Sequence, residues 1–204
     1  MNRIFDNLAN NGIPNKLEII TIMDRSGSMA GLRQDIIGGY NSFLMEQRTL
    51  PGQARATLVQ FNNEVETLYQ GVPIQHLGNL TQATYIPIGS TALYDAIGFA
   101  LNAQGARIRA EGWADKVLVN IATDGEENTS REFSLEVVKA MIRRFQDEHG
   151  WTFLFQAANQ DAFKTGAGFG ISGATTRNFT ASAAGVTEAY NTMSLYATNL
   201  RSGL

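Results

Sequence analysis

Apolar positions along the chain follow two rhythms that alternate. Residues 17–23 (LEIITIM), 116–123 (KVLVNIAT) and 151–157 (WTFLFQA) are short, nearly continuous apolar runs rich in β-branched and aromatic residues. That pattern predicts strands buried on both faces. Residues 55–61 (RATLVQF) and 65–69 (VETLY) also read as strands. Asn62 and Asn63 between them predict a tight turn and an antiparallel hairpin. Helical spacing links Ile36, Ile37, Tyr40, Phe43 and Leu44 in one stretch, and Leu93, Ile97, Ala100, Leu101 and Ile108 in a second. A third stripe, Val137, Val138, Met141, Ile142 and Phe145, follows a Thr129/Glu132 pair that matches a capping box, and Gly150 supplies its stop. A short helix is expected near 161–165 and an edge strand at 177–179. A terminal amphipathic helix carries Val186, Ala189, Tyr190, Met193, Ala197 and Leu200. The stretch 70–89 reads as a long loop, a kind of segment that is often functional.

Strand and helix alternate with one early hairpin. This predicts an α/β fold in three layers, with a mostly parallel central sheet, one antiparallel edge strand and helices on both faces. Ligands of such sheets bind beyond the carboxyl ends of the strands, so residues directly after strands carry the most information. Residues 1–15 read as an N-terminal extension, and 16–204 as one domain.

Three segments there are rich in short oxygen-bearing side chains. Asp24-Arg25-Ser26-Gly27-Ser28 follows the first strand, Gly89-Ser90-Thr91 opens the second helix, and Thr123-Asp124-Gly125 ends a later strand. Asp24, Ser26, Ser28, Thr91 and Asp124 are therefore expected to converge above the sheet. Two carboxylates with neutral hydroxyls and waters suit a hard divalent cation, Mg²⁺ or Mn²⁺. So few charged ligands leave the ion short of electrons and ready to accept one more anionic oxygen from outside. Arg25, Glu126, Glu127, Asn159 and Asp161 follow the same strands, and are expected at the rim where a partner would be chosen. The plainer alternatives are a solvated turn for Arg25, a polar loop leading into a helix for Glu126 and Glu127, and helix capping for Asn159 and Asp161.

Composition narrows the chemistry. There is no cysteine, so thiolate metal sites and disulfides are excluded, and the presence of only two histidines, His76 and His149, argues against a His-built metal site or a Ser–His engine. The formal net charge is −3 with no basic cluster, so no nucleic-acid footprint is evident. No apolar run approaches the ~20 residues of a membrane helix. Residues 1–16 do not read as a signal peptide, so a cytoplasmic location is expected. Gly168 to Gly173 spells G-x-G-x-x-G but does not join the first strand to its helix, so it reads as a glycine-rich loop. Asp24-Arg25-Ser26 lacks the second aspartate that would serve as proton donor in an aspartyl-phosphate enzyme.

The ordered set Asp24-x-Ser26-x-Ser28, Thr91 and Asp124 in a Thr-Asp-Gly turn resembles the metal-ion-dependent adhesion site of von Willebrand factor A domains. All five positions of that motif are filled, and the resemblance runs from about residue 16 to residue 200. The local phrasing is most similar to small intracellular bacterial and phage members. The resemblance implies a Rossmann-like three-layer fold and ligation of Mg²⁺ or Mn²⁺ by the two serines and the threonine, with the aspartates acting directly or through water. It also implies a protein partner whose acidic side chain completes the coordination. The expectation is a non-enzymatic protein-binding module. A metal-dependent hydrolase using Glu126 or Glu127 as base, and a structural or self-assembling subunit, are the alternatives.

Overall fold

The computed structural model describes residues 15–158 and 161–203. Six strands form one sheet in the order β3-β2-β1-β4-β5-β6. These are β1 (Leu17–Asp24), β2 (Ala54–Phe61), β3 (Val65–Pro73), β4 (Lys116–Thr123), β5 (Thr152–Ala157) and β6 (Thr176–Asn178). Every neighbouring pair is parallel except β2–β3, which places the antiparallel hairpin at one edge, as the sequence predicts. The helices are α1 (Arg33–Thr49), α2 (Leu93–Glu111), α3 (Leu135–His149), α4 (Ala162–Gly168) and α5 (Ala183–Ser202).

β1 lies at the centre, and all eight of its residues are buried. Its alternation divides the core into two layers. Leu17, Ile19 and Met23 pack with α1 and α5 on one face, while Ile20 and Ile22 pack with α2 and α3 on the other. Both faces of the sheet are thus covered by helices, which makes three layers. β1 and β4 run side by side in register, Met23 opposite Ala122, so Asp24 and Thr123–Asp124 leave the sheet at the same edge.

Three local expectations are corrected. The helix after β4 does not open with a Thr129/Glu132 capping box. α3 begins at Leu135, and the Ser134 hydroxyl caps it by accepting from the Val137 N–H at 3.4 Å. The backbone N–H groups of Arg131, Glu132 and Phe133 are instead bonded at 2.9 Å to the carboxylate of Asp95, which reaches across from α2. Val137, expected in the buried stripe of α3, is exposed. The stretch 70–89 is not all loop. β3 continues to Pro73 and a 3₁₀ turn follows over Ile74–His76. A register irregularity beside Thr57 admits the extra residues, and Gly71 at φ +59° donates its N–H to the Thr57 hydroxyl at 2.9 Å.

Candidate metal centre

Asp24 is the last residue of β1 and is fully buried. One carboxylate oxygen accepts the Ser26 backbone N–H and the other accepts the Thr123 hydroxyl, each at 2.6 Å. The first bond curls the chain out of the strand at once. Ser26 and Ser28 thereby come together, with their hydroxyl oxygens 3.1 Å apart. The Ser28 hydroxyl then donates to Asp124 Oδ1 at 2.7 Å. Thr91 reaches the cluster from the mouth of α2. A β-carbon built on Gly125 would lie 3.3 Å from Thr91 Oγ1 and 3.9 Å from Ser28 Oγ. The five residues expected to converge do so, above the junction of β1 and β4.

The second coil of the loop is held as firmly as the first. Gly27 N–H donates to the Gly89 carbonyl at 2.9 Å, Ile88 N–H donates to the Arg25 carbonyl at 2.9 Å, and Arg25 N–H donates to the Phe61 carbonyl at 2.7 Å. Beneath them the buried Tyr85 hydroxyl donates to the Asp24 carbonyl at 2.7 Å. Thr91 is fixed from both sides by Asn128, whose side-chain oxygen accepts the Thr91 N–H at 3.0 Å and whose N–H donates to the Thr91 carbonyl at 3.1 Å.

Charge at this edge is not balanced by protein. Among the described residues no ion pair reaches Asp24 or Asp124. Burial pushes the Asp24 carboxyl up to about 6, against the bonds from Thr123 and Ser26, and the neighbouring Asp124 charge adds to the rise. Two buried carboxylates with no cationic side chain, ringed by three hydroxyls, are a donor set that fits a hard divalent cation. Among the described residues no cluster of three or more His, Cys, Asp or Glu offers another metal site.

The rim residues have different fates. Glu126 is exposed. Arg25 pairs with Glu66 at 2.6 Å, so its charge is already matched. Glu127 faces inward. Its carboxylate accepts from the N–H groups of Tyr94, Thr129 and Ser130 and from the Ser130 hydroxyl, all within 3.0 Å. It thus neutralises the N-terminus of α2. Asp161 is exposed and caps α4 through the Lys164 N–H at 3.1 Å. Asn159 lies outside the described residues. Thr123, Asn128 and Tyr85 support the site although the sequence did not single them out as doing so. Only Thr123 carried a signal, its place directly before Asp124.

The architecture is that of the von Willebrand factor A fold. Three solved structures show it. The vWF domain of the type V pili tip protein Mfa5 from Porphyromonas gingivalis matches with a TM-score of 0.62 at 12% identity, over 90% of this chain and 95% of that one. Proximal thread matrix protein 1 from the mussel byssus matches at 0.61 and 16% identity, over 91% of this chain and 46% of that one. A von Willebrand factor type A structure from Catenulispora acidiphila matches at 0.58 and 16% identity, over 91% and 43%. This chain thus spans a little under half the length of the last two. No protein-family model and no curated protein sequence matches the chain.

Proposed function

We propose that the chain is a non-enzymatic protein-binding module that holds Mg²⁺ or Mn²⁺ and captures an acidic side chain of a partner. The observation that carries this reading is the continuous cluster of Asp24, Ser26, Ser28 and Asp124, with Thr91 beside it, at the carboxyl edge of the sheet. Its two carboxylates offset the charge of the ion. Its hydroxyls orient without neutralising further, which leaves the ion able to take an anionic oxygen. When bound, the ion supplies Lewis acidity toward that oxygen. Asp24, Ser26, Ser28, Thr91 and Asp124 would hold it, and Thr123 would orient Asp24 from behind. The hydrolase alternative is weakened by Glu127, one of its two candidate bases, whose carboxylate is occupied by four hydrogen bonds.

The test is affinity capture from a lysate of the source cell, run in Mg²⁺, in EDTA, and with Ser26→Ala/Ser28→Ala protein. A protein retained only with metal and intact serines is the expected result. An identical set of captured proteins in all three samples contradicts the reading.

A further inference from the structure

Asn62 marks the turn between β2 and β3, but the turn uses only half of its polar groups. Its N–H donates to the Glu64 carbonyl at 3.0 Å and its side-chain oxygen accepts the Glu64 N–H at 2.9 Å, which closes the hairpin tip. The other two groups leave the hairpin. Asn62 Nδ2 donates to the Ile88 carbonyl at 2.9 Å, and the Asn62 carbonyl accepts the Ala92 N–H at 2.8 Å. Asn62 is buried. Both of its distant partners adjoin the metal centre. Ile88 donates its own N–H to the carbonyl of Arg25, between Asp24 and Ser26, and Ala92 directly follows Thr91. The hairpin tip and the segment 88–92 also meet closely. Gly89 has φ +84°, and a β-carbon there would collide with Asn63 Oδ1, while the Gly89 carbonyl accepts the Gly27 N–H.

We infer that Asn62 is a positioning residue for the metal centre, fixing the serine loop and Thr91 in one spatial relation. This rests on the metal reading above. The segment 88–92 bridges the two parts of the site, and Asn62 grips it at Ile88 and at Ala92. Asn128 holds Thr91 from the α3 side, and Asn62 holds its neighbour from the hairpin side. The turn alone would accept aspartate, whose oxygen could take the Glu64 N–H equally well. Only an amide also supplies the donor that the Ile88 carbonyl receives. Asn62→Asp therefore keeps the turn, removes that donor and sets a carboxylate oxygen against a carbonyl.

The experiment compares wild type with Asn62→Asp and with Asn62→Ala, which loses the donor without gaining a charge. Mn²⁺ affinity is read by electron paramagnetic resonance. Amide hydrogen exchange in EDTA is read at Gly27, Ile88 and Ala92, with Val119 in the buried part of β4 reporting on the whole fold. Thermal melts in EDTA check that each variant is folded. Both variants are expected to bind Mn²⁺ roughly tenfold more weakly. In both, exchange at Gly27, Ile88 and Ala92 should accelerate more than at Val119. Wild-type Mn²⁺ affinity in either variant overturns the positioning role and leaves the metal reading standing. So does exchange that is unchanged, or that accelerates equally at all four amides, since the first denies the grip and the second makes Asn62 a support of the fold at large. A wild type that binds no Mn²⁺ overturns the metal reading itself, whatever the exchange shows.

Discussion

Thr91 and Asn128 hold each other in both directions, through a Thr91 N–H bond to the Asn128 side chain at 3.0 Å and an Asn128 N–H bond to the Thr91 carbonyl at 3.1 Å. The first residue lies two positions before α2 and the second follows Asp124 in the loop after β4. Their exchange locks the threonine expected to bind metal to the loop that carries an aspartate expected to bind it. Asn128→Ala removes the side-chain acceptor and leaves Thr91 held only through the backbone bond to its carbonyl. The expected outcome is a loss of Mg²⁺ affinity of about tenfold or more, with little change in melting temperature in EDTA. Isothermal titration with Mg²⁺ measures it, and unchanged affinity would show that Thr91 is positioned without Asn128.

Asp95 and Glu127 together replace a helix with a fixed loop over 127–134. Asp95 receives three backbone N–H groups, and Glu127 receives three more with a hydroxyl. Asp95→Ala leaves three donors unbonded and is expected to destabilise the fold by about 2–3 kcal/mol, read as a lower urea midpoint with unchanged slope.

The sheet was legible because β1 and β4 are short apolar runs with no helical period, and because Asn62 and Asn63 stand between two β-rich segments. The convergence of Asp24 and Asp124 was legible for the same reason, since adjacent parallel strands must deliver their ends to one edge. The capping box misled because Thr129 and Glu132 satisfy a local pattern, whereas the donors there are taken by a carboxylate from another helix. The bonds from Thr129 and Ser130 to Glu127 are local, but the tie from the Tyr94 N–H that joins it to α2 lies 33 residues away and has no local signature. The continuation of β3 was hidden by Gly71 and Pro73, breakers that an edge strand with a bulge tolerates.

Arg201 is 2% exposed and has no carboxylate partner among the described residues. Its guanidinium instead donates to the carbonyls of Gln47, Leu50, Pro51 and Gly52 at 2.7–3.0 Å. These lie at the C-terminal end of α1, where orphan carbonyls and the helix dipole favour a cation. The fork geometry serves several acceptors at once, which the compact ammonium of lysine does not reproduce. Both Arg201→Ala and Arg201→Lys are expected to lower stability, the alanine by about 3 kcal/mol or more, with denaturant unfolding as the measurement.

Glu18 gives the fold a pH dependence of known sign. Burial raises its pKa above 4.5 despite the Arg107 guanidinium at 2.5 Å and a Thr57 bond at 3.1 Å. The folded state then holds a proton that the unfolded state has released. The stabilisation is complete below the unfolded value and is lost as pH rises through the folded one. Glu18→Gln removes this contribution. The stability difference between Glu18→Gln and wild type should therefore shift in favour of the variant as pH rises from about 4 to 7. Urea unfolding of both proteins across that range checks it, and the comparison cancels the contributions of other groups.

The most direct test of the metal centre is titration with Mn²⁺ followed by electron paramagnetic resonance, on wild type and on Asp124→Ala and Ser28→Ala proteins whose folding in EDTA is verified by circular dichroism. One Mn²⁺ is expected to bind per wild-type chain and to be displaced by Mg²⁺, with binding lost or weakened at least tenfold in both variants while their folds persist. Equal Mn²⁺ binding by all three proteins, or none by the wild type, would contradict it.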